Sequence, residues 1–321
     1  MPDPKKHHFL PQFYLRGFAN DAKKLFMFEK KAGTKSIATC VENSGAKRDY
    51  HVLDFNGRER DRKSVELKLS AIEGRQAEML KQLKAAPTHI DCWHEDLVFF
   101  TSLMYHRVPA YKSFIENQLR EIANAGARML FRAGELSEPP EEIKALIREK
   151  GDDIFDAKIS NWKVIEQMLI QAESSPIIQL LSQMNFDLIV LKDEAYQFIT
   201  SDTPVTLYSP NHDPKSPYGK GFSDPSIEVA LPLSNRSLLL FRHSSERIPH
   251  ITEDYVRHIN QRVIVNSLRF IYTKHQSEEL EADINRLASQ KAGFFSSTLD
   301  FGEGTYFISK IVPVTNDHLN S

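Results

Sequence analysis

Two adjacent histidines near the start of the chain offer the widest choice of chemistry in the sequence. His7 and His8 could supply a general base or a metal ligand, because imidazole titrates near neutral pH and binds divalent transition metals. Neighbouring side chains on an extended segment point to opposite faces, so at most one of the two fits a given pocket. The alternative is that one ring faces solvent while the other caps a turn through its ring nitrogens.

Acidic side chains elsewhere could work with an imidazole. Asp202 follows a predicted strand, where it could ligate Mg²⁺ or act as a base. It could instead accept a backbone N–H and shape the turn into Pro204. Glu66 and Glu73 lie within about 20° of each other on one edge of a predicted helix, which would suit acid and base chemistry or a two-metal site. They could also be solvated or paired with cations such as Arg62.

Arg107 is the candidate anion clamp. Val108 and Pro109 end a predicted helix directly after it, so its guanidinium would be held at a helix end. There it could make a bidentate contact with a carboxylate or a phosphate. The alternative is an internal bridge to Glu66 or Glu73 that ties one helix to another.

Several of these residues fall in segments that carry a family resemblance. Residues 7–18 read HHFLPQFYLRGF and fit the pattern His-His-x-x-Pro-x-Phe-x-Leu-x-x-Phe, which resembles the opening signature of the bacterial family called domain of unknown function 4238. Four later segments are similar to the family's pattern and follow its order: the helix of Glu66 and Glu73, and residues 105–109, 198–205 and 231–234. The resemblance implies a fold-sized unit and a set of motifs, but no reaction.

Three further polar residues are candidates for ligand binding. Arg16 lies in the opening segment and Thr200 in the segment that contains Asp202. Asn260 lies on a later predicted helix, where it could alternatively be a buried polar group that braces the fold.

Composition restricts the class of protein. The 321 residues are 41% hydrophobic and 26% charged, which is typical of a soluble globular protein with one large domain or two ordinary ones. No apolar run reaches the roughly 18 residues of a spanning helix, and no secretory h-region follows the first residues. We therefore expect a cytoplasmic protein without a membrane segment. Cys40 and Cys92 lie far apart, which excludes a disulfide framework or a thiolate zinc site.

The charge is unevenly distributed along the chain. Residues 1–63 contain 14 Lys and Arg against 8 Asp and Glu, whereas the remainder contains 27 against 35. The basic region could attract nucleic acid or another phosphate-bearing ligand, or could dock onto the acidic body. The sequence lacks four common catalytic motifs: the glycine-rich phosphate loop, the dinucleotide fingerprint, the Gly-x-Ser-x-Gly elbow and the His-Glu-x-x-His helix. It therefore gives no support for a P-loop NTPase, a Rossmann oxidoreductase, an α/β-hydrolase or a zincin.

The hydrophobic pattern predicts an α+β fold in three successive regions that pack as one continuous body. Residues 1–63 form a basic, β-rich unit, residues 64–185 a helical bundle, and residues 186–321 a mixed β-sheet with helices. The predicted strands are 24–30, 35–41, 48–54, 187–192, 196–200, 205–208, 227–231, 238–241 and 306–314. The predicted helices are 64–86, a second one capped by Thr88 or Asp91 and ending at 107, and 111–132, 141–150, 161–184, 253–273 and 277–291. Asn56-Gly57 is a predicted turn, and residues 209–225 form a long loop that could act as a lid.

Two hypotheses for function follow. The first is a cytoplasmic hydrolase of a phosphodiester or other phosphate-bearing substrate, such as a metal-dependent nuclease. Its base or ligand would be His8, its metal ligand Asp202 with a divalent ion such as Mg²⁺ or Mn²⁺, and its anion clamp Arg107, with His7 and Glu73 as further catalytic candidates. The second is a non-catalytic protein that binds a ligand or partner in bacterial stress or antiviral defence, in which the motif residues form a polar network that holds the three regions together.

Overall fold

A computed structural model describes residues 6–55, 59–135, 138, 140–150, 155–210, 212–213, 219, 221–246, 250–301 and 304–320. These residues form helices packed against several antiparallel sheets, which confirms the predicted α+β class. The helices are α1 (Gln12–Leu15), α2 (Ser64–Ala85), α3 (His94–His106), α4 (Pro109–Arg132), α5 (Glu141–Lys150), α6 (Asn161–Ser174), α7 (Pro176–Ser182), α8 (Glu253–Asn266), α9 (Glu278–Leu287) and α10 (Asn316–Asn320). The strands are β1 (Lys6–His8), β2 (Lys24–Glu29), β3 (Ile37–Cys40), β4 (Ala46–Arg48), β5 (Leu53–Phe55), β6 (Glu59–Asp61), β7 (Asn185–Val190), β8 (Thr200–Ser201), β9 (Thr206–Tyr208), β10 (Glu228–Ser234), β11 (Ser237–Arg242), β12 (Phe270–Thr273), β13 (Gly293–Phe301) and β14 (Gly304–Val312).

Two four-stranded sheets join distant parts of the sequence. One has the strand order β7-β11-β10-β9, and the other has the order β3-β2-β12-β8. In the second sheet the predicted hairpin of β2 and β3 pairs with β12, more than two hundred residues further along the chain. The first 63 residues therefore share a sheet with the C-terminal region. The boundaries after residues 63 and 185 stay a prediction.

The opening segment is buried because its aromatic and aliphatic side chains all enter one core. Leu10, Tyr14, Leu15 and Phe18 are fully buried. The Tyr14 hydroxyl donates to the carbonyl oxygen of Pro232 at 2.8 Å and lies 2.6 Å from Oγ1 of Thr200. Three of the segments that carry the resemblance thus meet around one phenol, since Pro232 and Thr200 belong to the segments 231–234 and 198–205.

A glycine permits this close packing. A Cβ atom on Gly17 would lie 2.9 Å from the carbonyl oxygen of Leu233, and the carbonyl of Gly17 accepts the N–H of Asn235 at 2.9 Å. Only a residue without a side chain allows the two backbones to approach this closely.

The helical region is organised around α3. Its side chains are buried over most of its length, and it packs against α2, α6 and α7. The helix ends at Arg107 because Val108 is extended and Pro109 begins α4, as the sequence predicts. This end is the part of the bundle that matters for the site, since it places Arg107 beside α2 and β1.

Three strand predictions need correction. The predicted strand 48–54 is interrupted, because Asp49 has φ of +54° and turns the chain between β4 and β5. The predicted strand 196–200 is reduced to Thr200–Ser201. The segment before Thr200 is held instead by the guanidinium of Arg236, which donates to the carbonyl oxygens of Leu191, Asp193 and Tyr196. The strand β13 was not predicted, since residues 292–305 were assigned to neither a helix nor a strand.

The helix predictions need correction at their ends. The predicted helix 253–273 ends at Asn266, and residues 270–273 form β12. The predicted helix 277–291 ends at Leu287. The cap predicted at Thr88 or Asp91 is wrong, since residues 87–93 form a 3₁₀ helix and Trp93 precedes α3. The predicted turn Asn56-Gly57 and much of the predicted lid, 209–225, lie outside the described residues. None of the helices in the described part of the chain has the length and apolarity to cross a membrane.

Candidate anion-binding site around Arg107

Arg107 is a buried cation with only part of its hydrogen-bonding capacity in use. Its side chain is 4% exposed, and its Nη2 donates to Glu73 Oε1 at 2.9 Å and to the carbonyl oxygen of His8 at 2.9 Å. Its Nε and Nη1 have no acceptor among the described residues. Because an unpaired buried donor is costly, these two N–H groups mark a position where an acceptor would be stabilised.

The predicted internal bridge is therefore present, and its partner is Glu73. The contact joins α3 to α2, and the bond to His8 joins α3 to β1. Arg62, the cation proposed for Glu66, instead pairs with Asp49 at 3.2 Å.

His51 lies next to Arg107 and is oriented by Glu66. The turn after Asp49 directs His51 inward, and its Nδ1 lies 2.6 Å from Glu66 Oε1. Burial lowers the pKa of His51 to about 4, although the hydrogen bond to Glu66 opposes this shift. The ring is therefore neutral near pH 7, with its Nδ1–H donating to Glu66 and a lone pair on Nε2.

The carboxyl group of Glu66 stays ionised in this arrangement. Burial alone would raise its pKa, but the hydrogen bond from His51 and the nearby positive charge of Arg107 outweigh burial, and the pKa is lowered. A charged Glu66 beside a neutral His51 is the arrangement in which a carboxylate fixes an imidazole tautomer.

His7 is fully buried and completes the cluster. Its Nδ1 accepts the backbone N–H of His51 at 3.0 Å, so a neutral ring carries its proton on Nε2. That Nε2 has no partner among the described residues. The rings of His7 and His51 stack with their centroids 5.7 Å apart. His7 thus caps the turn at residues 49–52, as the alternative for the histidine pair predicted.

A transition metal is the cofactor that these side chains could hold. His7, His51 and Glu66 each offer a ligand atom within 4.8 Å of the others. Two imidazoles and one carboxylate suit Zn²⁺, Mn²⁺ or Fe²⁺ better than Mg²⁺. However, neutral His7 could bind a metal through Nε2 only with a proton on Nδ1, the atom that accepts the His51 N–H. The fit is therefore poor unless the His7 ring reorients.

Tyr50 and Lys112 brace the loop that carries His51. The Tyr50 hydroxyl donates to the carbonyl oxygen of Arg107 at 3.0 Å. Lys112 Nζ donates to the carbonyl oxygen of Tyr50 at 2.9 Å and lies 4.4 Å from the centre of its ring. Burial lowers the pKa of Lys112 to about 8. The loop is thus fixed to the ends of both α3 and α4.

The remaining candidates of the opening segment lie at the edge of this cluster. His8 is on the opposite face of β1 from His7, and its Nε2 lies 3.2 Å from the carbonyl oxygen of Glu42. Burial lowers its pKa, but only its carbonyl oxygen contacts Arg107. Arg16 is exposed and reaches Gln12 within its own helical turn.

Asp202 belongs to a different cluster. Its carboxylate accepts the backbone N–H groups of Leu268, Arg269 and Phe270 at 2.8–3.0 Å, rather than those of the turn before Pro204. Burial raises its pKa to about 6, against the three N–H groups and nearby Lys30, which favour the charged form. Lys30 donates to the carbonyl oxygens of Val265 and Ser267. Asp202 and Lys30 together hold the connection between α8 and β12.

Thr200 and Asn260 also contact the backbone or core side chains. Thr200 is bonded to Tyr14, and Asn260 accepts the N–H of Ile199 and donates to the carbonyl oxygen of Gln197. Asn260 thus braces the fold, which was the alternative to its role in ligand binding. The structure brings His7, Glu66, Glu73, Arg107 and the backbone of His8 together, while Asp202, Thr200 and Asn260 make their contacts elsewhere. The metal role predicted for Asp202 and His8 stays a prediction.

Sequence reasoning missed His51. Its neighbours matched a strand pattern, and a strand gives no reason to pair this ring with Glu66, which lies fifteen residues further along. The one available signal was a third histidine within the basic N-terminal region and close in sequence to the helix of Glu66.

Comparison with known proteins gives a family without an activity. A family model described as "Protein of unknown function (DUF4238)" matches residues 6–277. No curated protein and no solved structure matches the chain. The match covers the residues of both polar clusters, but the family's description names no activity. The chemistry therefore has to be argued from the geometry of the site.

Proposed function

Since the chain belongs to the DUF4238 family, whose description names no reaction, we propose from the site alone that the protein is a hydrolase of a phosphate-bearing substrate. The observation that carries the proposal is the buried Arg107, with two N–H groups that lack an acceptor, beside an imidazole oriented by a carboxylate. A phosphoryl group carries several charged acceptor oxygens, and one of them could accept from Nε or from Nη1 in a charge-assisted hydrogen bond.

In the proposed reaction, His51 is the general base. Its Nε2 accepts a proton from the attacking water, and Glu66 stabilises the imidazolium that forms, as a carboxylate does in a catalytic triad. Arg107 stabilises the negative charge that develops on the phosphoryl oxygens. Burial is the main cause of the low pKa of free His51, and the charge of Arg107 is a smaller one. An anion bound at Arg107 would offset the smaller cause and so raise this pKa.

His7 and Glu73 support these groups. His7 presents Nε2–H as a further donor, and Glu73 holds Nη2 of Arg107, which leaves Nε and Nη1 as the nitrogens that could donate to the substrate. Nucleic acid as the substrate remains part of the proposal, and the assay includes Mg²⁺ and Mn²⁺ although His7, His51 and Glu66 fit a metal poorly.

The test is hydrolysis by the full chain. Phosphate monoesters, phosphate diesters and single- and double-stranded nucleic acids would each be incubated with Mg²⁺, with Mn²⁺ and with a chelator. We expect His51→Gln to lower kcat about 10²–10⁴-fold without unfolding the protein. The control is His89→Gln, at an exposed position of the 3₁₀ helix. Equal activity of His51→Gln and the unaltered protein, or no hydrolysis of any substrate class, would refute the proposal.

A non-catalytic role is the second candidate. It is favoured by the contacts of Arg107, whose guanidinium and carbonyl join α2, β1 and the Tyr50 loop to α3. In that case phosphate or nucleic acid would raise the Tm, Arg107→Lys would abolish the increase, and no product would form. Such a result would support a ligand- or partner-binding protein, of the kind hypothesised for stress or antiviral defence.

A further inference from the structure

The C-terminal half of α4 carries an apolar face that is exposed to solvent. Ile122 and Met129 are 68% and 72% exposed, and Leu130 is 46% exposed. At the helical period, none of the residues on this side of the chain between positions 119 and 133 is charged or polar. We call this side the outer face, and its members are Leu119, Ile122, Ala123, Ala125, Gly126, Met129, Leu130 and Ala133. Surface helices normally direct their charged side to solvent, so an exposed apolar side of this length marks a contact surface.

The same side of α4 is buried in the N-terminal half of the helix. Tyr111 and Ile115 are buried, and the ring of Phe294 in β13 lies 5.2 Å from that of Tyr111, measured between centroids. At about 100° per residue, Ile122 and Met129 fall within about 40° of both. The apolar side of α4 is thus continuous, and β13 covers its first half while the second half stays exposed.

The opposite side of the C-terminal half is held by the segment before α6. Asn124 Oδ1 accepts the backbone N–H of Ala157 at 2.7 Å, and the rings of Phe131 and Phe155 lie 5.9 Å apart. These contacts hold the helix with its outer face turned away from α6. A second molecule can therefore reach the outer face without displacing these contacts.

The outer face is complementary to itself when two copies of α4 run antiparallel. Its smallest residues, Ala125 and Gly126, lie at the middle, and in the described part of the chain nothing lies within 4 Å of the position that a Cβ of Gly126 would occupy. Ile122 and Met129 lie about 5 Å before and after this middle, at about 1.5 Å per residue. A twofold axis there packs Ile122 of each copy against Met129 of the other, and the small residues let the two backbones approach.

One edge of the outer face carries charges that match under the same axis. Glu121, Arg128 and Arg132 fall within about 40° of one another around the helix. At about 1.5 Å per residue, Glu121 lies about 7 Å before the middle, and the two arginines lie about 4 and 10 Å beyond it. The same edges meet in an antiparallel pair, so each Glu121 falls between two arginines of the other copy. A parallel pair would set these charges against the apolar edge that contains Leu130.

We infer that two copies of the chain associate through an antiparallel contact between their α4 helices, related by a twofold axis near Ala125 and Gly126. The apolar residues of the two outer faces bury each other, and reciprocal pairs of Glu121 with Arg128 set the orientation. Stable interfaces bury about 1,200–2,000 Å² in total, which a single pair of helices hardly reaches. We therefore expect a reversible dimer with a dissociation constant on the order of 10 µM.

The experiment is sedimentation equilibrium of the full chain, at concentrations that span the expected dissociation constant. Met129→Glu should weaken dimerisation about 100-fold, because it brings unpaired carboxylates into the apolar contact. Leu67→Glu, at a 69% exposed position of α2, is the matched control and should leave the dissociation constant unchanged. Both variants should keep the Tm of the monomer, since neither side chain is buried in it.

Charge reversal tests the antiparallel geometry. Glu121→Lys and Arg128→Glu should each weaken self-association about tenfold, because each sets two like-charged pairs across the twofold axis. An equal mixture of the two variants should restore dimers. In the mixed dimer, Lys replaces Glu121 opposite the Glu that replaces Arg128, and the other pair keeps its original charges.

Three outcomes would overturn the inference. One is a chain that stays monomeric at every concentration. Another is a dimer that Met129→Glu leaves unchanged, since the interface would then lie elsewhere. The third is a mixture of the two charge variants that dimerises no better than either variant alone, which would contradict the antiparallel contact.

Discussion

The clusters around Arg107 and Asp202 are both buried and both contain residues of the segments that resemble the family's pattern, yet their hydrogen bonding differs. At Asp202 the carboxylate accepts three backbone N–H groups, and neighbouring Lys30 donates to two carbonyl oxygens. At Arg107, two guanidinium N–H groups and the Nε2 of nearby His7 lack partners among the described residues. A saturated buried group stabilises the fold, whereas an unsaturated one favours a ligand.

The comparison also separates two motif residues that the sequence placed in one reaction. Asp202 has little capacity left for a substrate or metal, because both of its oxygens are engaged with the segment after α8. Arg107 keeps two of its three nitrogens available. Similarity to the family's pattern thus does not distinguish a residue whose hydrogen bonds are all used within the fold from one that has hydrogen bonds left to make.

The largest expected effect is on the saturated cluster. Asp202→Ala leaves three N–H groups without their acceptor and removes the negative charge near Lys30, so we expect the free energy of unfolding to fall by about 4 kcal/mol, measured by urea denaturation. Asp202→Asn keeps one carbonyl oxygen and should lose less. The Tm increase caused by phosphate should persist in both variants wherever they fold. A loss below about 1 kcal/mol in the free energy of unfolding of Asp202→Ala would show that the hydrogen bonds of Asp202 do not stabilise the fold as proposed.

The pH dependence of stability should have opposite signs in the two clusters. The pKa of His51 is lowered to about 4, so its contribution to stability is complete above its unfolded value of about 6.5 and is lost as the pH falls from there to 4. At about 1.4 kcal/mol per unit, this amounts to about 3 kcal/mol. The pKa of Asp202 is raised to about 6, so its contribution is present below pH 4 and is lost as the pH rises to 6.

Denaturation of His51→Gln and of Asp202→Asn at several pH values tests this opposition. In the unaltered protein, His51 makes the free energy of unfolding increase with pH between about 4 and 6.5, and Asp202 makes it decrease between about 4 and 6. His51→Gln should remove the increase, and Asp202→Asn should remove the decrease. Parallel curves for all three proteins would contradict both assignments.

The bridge between Glu73 and Arg107 should have a smaller effect. Glu73→Gln removes the charge that neutralises Arg107, so we expect a loss of about 2 kcal/mol in the free energy of unfolding, since Glu73 remains partly exposed. Phosphate should restore part of the loss, because it supplies the missing negative charge. Glu78→Gln, on the exposed part of α2, is the control and should leave the free energy of unfolding nearly unchanged. Equal losses in the two variants would argue against a buried pair.

The smallest expected effect concerns the contact that joins the opening segment to the sheets. Tyr14→Phe removes a hydroxyl bonded to Pro232 and Thr200, and should cost about 1 kcal/mol without altering phosphate binding. Thermal unfolding with and without phosphate would measure both quantities. A change in the phosphate effect would show that the core beneath the motif controls the Arg107 site.

Local patterns predicted much of the fold. The hairpin of β2 and β3, the long helices α2 and α4 and the break at Val108-Pro109 follow from alternation, helical spacing and proline. The predictions failed where side chains act on a distant backbone. Arg236 replaces a strand ladder before Thr200, and Asp202 ends the predicted helix 253–273 by accepting N–H groups from residues 268–270.

The sequence by itself determined the α+β class, the helix edge shared by Glu66 and Glu73, the opposite orientations of His7 and His8, and the position of Arg107 at a helix end. These properties depend on residues a few positions apart, whose geometry is fixed by backbone periodicity. Tertiary structure alone decided that His51 meets Glu66, that Glu73 is the partner of Arg107, and that Asp202 is saturated by backbone N–H groups. Each of these contacts depends on how distant segments pack, and the spacing of residues along the sequence carries no information about which distant segments lie together in space.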